Sequence, residues 1–160
     1  MIYEDGNVVA DFAKRTECNL EFIETARKNG DNVFEVTQLV NSLLGLLIFP
    51  QQKFMGAKSD ISLEKLEENG WPHIAATSDS ESFNSLEKLV RFLRNAIAHC
   101  NIEFLTDKTE KNISGIKVWN CQNGQRNREA EIPIEELRAF TRKFIELILD
   151  EVMIKQRSQL

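Results

Sequence analysis

Cysteine is scarce in this sequence, and no two cysteines lie close together. The three thiols, Cys18, Cys100 and Cys121, are odd in number and form no Cys-x-x-Cys pair. Neither a zinc knuckle nor a disulfide framework is suggested by that pattern. Free thiols fit a reducing compartment, so a cytoplasmic location is expected. Positive charge is also short. Lys and Arg total 20 against 25 Asp and Glu, a formal net charge of −5. A broad, non-specific DNA binder needs many cationic contacts to phosphate, and the acidic balance argues against one. RNA cleavage survives this argument, because it needs only a local cationic site. Long hydrophobic runs are missing too. The most apolar run, Leu43 to Phe49, carries Gly45 and stops at Pro50. It falls far short of the roughly 20 residues of a membrane-spanning helix, so no membrane association is expected. Met1 to Gly6 offer no basic region followed by an apolar stretch, and no signal peptide is expected. Dense basic clusters, internal repeats, low-complexity stretches and dividing linkers are absent as well. What is present is 160 residues, 42% hydrophobic and 28% charged. That is enough for one globular domain over residues 1–160 with a real core.

Periodicity supplies the elements. Val9, Phe12, Ala13, Thr16, Leu20 and Ile23 recur at three- and four-residue steps, which predicts a helix over Asn7 to Lys28, stopped by Asn29-Gly30. Asn32 with Glu35 reads as a capping box for a second helix. That helix is apolar over much of its circumference, from Val33 to Ile48, and belongs at the centre of a bundle. Pro50 ends it. Residues Gln51 to Ser82 are less regular. A short helix is expected over Leu63 to Glu68, between Ser62 and Asn69-Gly70, and loop around Trp71-Pro72 and Thr77 to Ser80. A third long helix runs from Phe83 to Cys100. The period then changes. Ile102 to Leu105, Ile113 to Cys121 and Arg128 to Ile132 read as strands, with Asn123-Gly124 as a hairpin turn. Pro133 opens the last helix at its first position, and Glu135 and Glu136 suit its N-terminal dipole. The expected fold is mainly α, with four or five helices. A small antiparallel hairpin or three-stranded sheet lies between the third long helix and the C-terminal helix.

The third long helix carries the chemistry. With Leu86 at the centre of its buried face and about 100° per residue, Val90, Leu93 and Ile97 fall within about 40° of it. Asn84, Lys88, Arg91, Asn95 and His99 gather on the opposite side. Asn95 and His99, four apart, are surface neighbours, and so are Arg91 and Asn95. Arg94 lies at the flank of the seam, about 140° round from His99. A long guanidinium arm covers part of that angle; a second copy of the helix is the alternative route to a histidine. Imidazole titrates near neutral pH and can pass a proton to or from a ribose hydroxyl or a leaving oxygen. A guanidinium fork binds two phosphate oxygens and stabilises charge building on phosphorus. An Asn amide can orient either group. Lys88 and Arg91 are the expected RNA-binding cations. No metal is needed if the neighbouring 2′-hydroxyl is the nucleophile, and no cofactor is expected. An Arg followed by a His at this spacing is nonetheless a loose pattern, and a solvated helix face would present the same residues. Elsewhere the signals are weaker. His73 has no sequence-near ligand, Cys100 points toward the seam as packing, Arg126 and Arg128 flank a turn as solvent charges with RNA contact the lesser alternative, and the Phe residues at helical spacing are core.

Arg94-Asn95-Ala96-Ile97-Ala98-His99 resembles the signature of the HEPN superfamily, the higher eukaryotes and prokaryotes nucleotide-binding domains: an Arg, a polar neighbour, then a His near the end of a late helix. Val36-Thr37-Gln38-Leu39-Val40-Asn41-Ser42-Leu43-Leu44 and Ile48-Phe49-Pro50-Gln51 resemble a plasmid-borne branch of it. The resemblance implies a helical bundle and, in many members, a metal-independent ribonuclease acting as a toxin or antiphage effector. It implies a homodimer whose motif helices share one composite site, with Arg94 and His99 catalytic and Asn95 assisting. An antitoxin or regulatory protein is a further implied partner. Toxins paired with a nucleotidyltransferase antitoxin carry a Tyr two residues after the His. Here Asn101 stands there, which departs from that pairing. A non-catalytic HEPN-like module binding a protein or nucleotide is the competing expectation.

Overall fold

The computed structural model of the chain describes residues 7–48, 61–77, 83–107 and 112–157, with side chains of the final helix described as far as Asp150. Five helices and three strands are present among the described residues. They are α1 (Val8–Lys28), α2 (Glu35–Ile48), α3 (Leu63–Glu68), α4 (Leu86–Ala98), β1 (Ile102–Thr106), β2 (Ile113–Gln122), β3 (Gln125–Pro133) and α5 (Ile134–Arg157). The chain is thus mainly helical, and its three-stranded antiparallel sheet falls between α4 and α5 as expected. Residues group into two compact units, Met1–Phe54 with Thr141–Leu160, and Met55–Phe140.

The first unit holds α1, α2 and the later part of α5. Asn7 caps α1 by accepting hydrogen bonds from the Val9 and Ala10 amides at 3.2 and 3.3 Å, which satisfies two of its free N–H groups. Ala13 and Leu20 of α1, Leu39, Leu43, Leu46 and Leu47 of α2, and Phe144, Ile145 and Ile148 of α5 are buried. Gly45 lets the two helices approach: a Cβ there would lie 2.7 Å from the Phe12 ring. Gly30, at φ +88°, follows α1 as the sequence predicts. The capping box does not form where the sequence places it. Asp31 accepts from the Val33 amide, and α2 begins only at Glu35. Glu35 therefore sits in the first turn, where the helix dipole favours a carboxylate, and it lies 3.6 Å from Arg27. The buried Glu24 of α1 is neutralised by Arg142 at 2.6 Å, an arrangement that spares it an unpaired charge. Not every Phe is core, since Phe22 and Phe34 stand exposed. The Pro50 stop lies outside the described residues.

The second unit is built on the sheet, whose strand order is β1-β2-β3. Side chains alternate across a strand, and here the alternation is clean. Ile116 and Val118 of β2 stand opposite Ile132 and Ala130 of β3, and all four are fully buried. The other face carries Lys117 and Trp119 opposite Glu131 and Glu129. Lys117 reaches Glu129 at 2.7 Å and Glu131 at 3.2 Å. Asn123 and Gly124, at φ 52° and 77°, make the two-residue hairpin turn that suits the strand twist. The return strand is longer than the sequence predicts and starts at Gln125, because this tight turn pairs Gln122 with Gln125 at once. Pro133 closes β3 opposite Gly115, and α5 starts one residue later, at Ile134. At one edge Ser62 caps α3, and Thr77 donates its amide and hydroxyl to the Glu129 carbonyl. That pins the irregular segment before α4 onto β3. Trp71 meets Phe140 edge-on, with centroids 5.5 Å apart.

Two stability experiments follow from this sheet. A Cβ on Gly115 would sit 2.8 Å from the Ile132 carbonyl oxygen, and backbone cannot yield cheaply. Gly115→Ala is expected to lower unfolding free energy by about 1–3 kcal/mol in denaturant titration. The Lys117 ammonium also holds the Glu129 carboxyl below its ordinary value of 4.5. Hydrogen bonds that Lys117 donates to both glutamates in turn raise it above 10.5. A depressed acid stabilises the fold above its unfolded value and loses that contribution as pH falls through the folded one. A raised base contributes below its unfolded value and loses it as pH climbs past the folded one. Wild type should therefore melt above Glu129→Gln at neutral pH, and the gap should close as pH drops below about 4.5.

Candidate active site on α4

The motif helix is shorter than its apolar pattern predicts, running from Leu86 to Ala98 rather than from Phe83 to Cys100. Phe83 stays outside the helix because it packs on Phe92, centroids 4.7 Å apart, while Ser85 bridges to Ser62 as extended chain. The Leu86 amide accordingly donates to Ile61 at 3.0 Å. Within the helix the buried seam is the predicted one: Leu86, Leu89, Val90, Leu93 and Ile97, joined by Phe92 and Ala96. α4 lies against β2.

Its C-terminal end determines what His99 can do. The Cys100 amide donates to the Ile97 carbonyl at 3.0 Å and the Asn101 amide to the Ala96 carbonyl at 2.8 Å. This is a Schellman motif, in which the residue after the cap takes a left-handed conformation. Cys100 occupies that place at φ 55°. It is exposed, which corrects the expectation that it packs in the seam, because the reversal turns it outward. His99 is the C-cap, exposed, with its amide on the Asn95 carbonyl at 3.1 Å. The Asn101 carbonyl then accepts from the Trp119 amide at 3.1 Å and ties the helix end to β2.

Arg94 and Asn95 are joined directly. The Arg94 Nη2 and Nε donate to Asn95 Oδ1 at 2.6 and 3.1 Å. Both residues are half-buried. The guanidinium thus swings from the flank of the seam toward the face that carries His99. Asn95 and His99 share the wall of one cleft of about 470 Å³, lined also by Asn101, Asn120, Cys121, Gln122 and Asn127. Lys88 and Arg91 do not reach it. They are exposed farther back on α4 and line a separate cleft of about 390 Å³ with Asn84, Ser85 and Glu87. Arg91 is paired there with Glu87 at 3.3 Å. The single polar strip read from the sequence is therefore divided into two.

The sequence reading missed the hairpin's share in this cleft. Its trace is the amide-rich stretch from Asn120 through Gln122 and Asn123 to Asn127, of which only Asn123-Gly124 carries a local signal, that of a turn. Arg126 and Arg128 are more than solvent charges. Arg126 lies 3.9 Å over the Trp119 ring and pairs with Glu129. Half-buried Arg128 lies 5.3 Å from the Phe83 ring. His73 is exposed and contacts Glu67 at 2.7 Å. Among the described residues, no group of three or more His, Cys, Asp or Glu side chains is placed to hold a metal ion. None of the described helices is long and apolar enough to cross a membrane.

Residues 1–155 match the family model described as HEPN pEK499 p136, and the chain belongs to that family. No curated protein and no solved structure matches it.

Left-handed backbone is costly for a residue with a Cβ and nearly free for glycine. Cys100→Gly is accordingly expected to raise unfolding free energy by about 0.5–1 kcal/mol in denaturant titration, since the Schellman hydrogen bonds are backbone-only and persist.

Proposed function

We propose that this HEPN protein is a metal-independent endoribonuclease, a toxin or phage-defence effector, that cleaves RNA by attack of the 2′-hydroxyl. The observation that carries the reading is the Arg94–Asn95 hydrogen bond, beside a His99 that lines the same cleft as Asn95. The 2′-oxygen attacks phosphorus and the bond to the 5′-oxygen breaks, leaving a 2′,3′-cyclic phosphate and a 5′-hydroxyl. His99 removes the proton from the 2′-hydroxyl or delivers one to the leaving 5′-oxygen. Arg94 stabilises the charge on the pentacoordinate phosphorus with two parallel N–H donors. Asn95 positions it, holding the guanidinium by Oδ1 until a phosphate oxygen, a stronger charge-assisted acceptor, takes its place. In a homodimer with facing motif helices, two copies of His99 supply both the base and the acid. That composite arrangement, the superfamily's helical bundle and an antitoxin or regulatory partner belong to the same proposal.

The net charge of −5 favours a second reading, a non-catalytic HEPN module that binds a protein or nucleotide partner. Incubation of purified protein with total RNA separates the two. The nuclease is expected to cleave in the presence of chelator and to leave cyclic phosphate ends. His99→Ala and Arg94→Ala should each reduce the rate by at least about a hundredfold, in line with the loss of an acid–base or charge-stabilising group, with the circular dichroism unchanged. Cleavage by His99→Ala at the wild-type rate would sink the nuclease reading.

A further inference from the structure

The cleft at the end of α4 is lined mostly by neutral amides, with His99 and the Cys121 thiol beside them. Asn95 comes from the helix, Asn101 from the reversal after it, and Asn120, Gln122 and Asn127 from the hairpin. Among the described residues that line it, His99 is the one titratable base and there is no Lys, Arg, Asp or Glu, the Arg94 guanidinium standing behind Asn95. Each absence in this lining narrows the ligand. A phosphate pocket would present guanidinium or ammonium groups. A divalent-cation pocket would present carboxylates. An apolar ligand would need an apolar lining. Asn and Gln carry an acceptor and two donors on one planar group, which matches the mixed donor and acceptor edge of a nucleobase. A volume of about 470 Å³ lies within the roughly 300–1,000 Å³ of small-molecule clefts.

The way the sheet forms this lining supports the same reading. On β2, Ile116 and Val118 face inward, and Asn120 and Gln122 continue that row by parity beyond the apolar part. The β2–β3 register then slips: Asn120 pairs with Arg128 and Cys121 with Arg126, leaving Asn127 as an extra, unpaired residue. Such a bulge re-aims a side chain. Here it brings Asn127 into the cleft, where its Nδ2 donates to Gln122 Oε1 at 3.2 Å. The two amides fix each other's orientation and so define which edge of each is presented. At the other wall, Asn95 commits Oδ1 to Arg94 and retains its NH₂ donors. The cleft is therefore coupled through Asn95 to the residue assigned to the scissile phosphate.

We infer that this cleft holds one unpaired nucleobase of the RNA next to the scissile phosphate and selects it by amide hydrogen bonds, with Asn120, Gln122 and Asn127 as specificity-determining residues. This rests on the ribonuclease reading above, because that reading supplies the reason for RNA to lie along α4. Sequence-specific RNA recognition acts on unpaired bases, whose edges are open to such amides.

Two measurements test it separately from that reading. In the first, the full-length protein is titrated with short single-stranded 2′-O-methyl oligonucleotides of each base, which lack the nucleophile and cannot be cleaved. One base is expected to bind at least about tenfold tighter than the worst, the discrimination of a good amide pair. That preference should collapse in Gln122→Ala and Asn120→Ala, both checked for native circular dichroism, and should alter in Asn120→Asp, which replaces donors by acceptors. In the second, the ends left in total RNA are sequenced, and the base enriched beside the cut should be the one bound tightest. Base-selective binding without cleavage would retain the cleft and sink the nuclease. Cleavage with no base preference, or a preference untouched by the three substitutions, would overturn the cleft and leave the nuclease standing. Equal affinity for all four bases would also overturn it.

Discussion

The contact between α4 and β2 is the one on which the site depends. A helix that buries Leu86, Val90, Leu93 and Ile97 along one seam has its rotation set by that seam, so Asn95 and His99 can only face away from it. The strand beneath obeys the same rule in its own period. Once Ile116 and Val118 are committed inward, Asn120 is on their side of the sheet and Lys117 and Trp119 are on the other. Two periodicities, 3.6 and 2, therefore determine which polar groups meet, and they meet where both apolar rows run out.

The end of the helix adds direction. A chain that simply frayed after Ala98 would leave His99 on a loose tail. Instead, two backbone hydrogen bonds close the Schellman turn, and the Asn101 carbonyl is taken by the Trp119 amide. His99 is thereby held between a helix and a strand by its neighbours' backbone, while its ring stays exposed. A fixed backbone with an exposed side chain is the combination on which the proposed proton transfer by His99 depends.

Much of this was legible from residue pattern. α1, α3, the Asn123-Gly124 turn and the seam of α4 all follow from local signals whose physics is local: periodicity, capping, and glycine at positive φ. Where the sequence misled, a tertiary contact or a local chain reversal had prevailed. Phe83 satisfies the helical period but packs better on Phe92 from outside the helix. Cys100 satisfies the seam's spacing but falls at a reversal that only backbone geometry defines. The motif residues themselves were found, yet their grouping was not. Spacing set Lys88, Arg91, Asn95 and His99 on one strip. The sheet splits that strip, because Asn95 and His99 have the hairpin beside them and the cations do not. The hairpin amides could not be connected to α4 from sequence, since a one-residue slip in strand pairing carries no marker in composition.

That slip has a consequence for how such a protein can diversify. The fully buried pairs Ile116–Ile132 and Val118–Ala130 lie on the helix-proximal side of the bulge, and the turn lies on the other. Insertion or loss of a residue in the hairpin tip would shift which side chains look into the cleft without moving a single core pair. Relatives could exchange amides for charged or aromatic groups there at little expense to folding. The tip would then vary independently of the helix beside it, with new side chains presented to the cleft by changes in loop length before any change in the core.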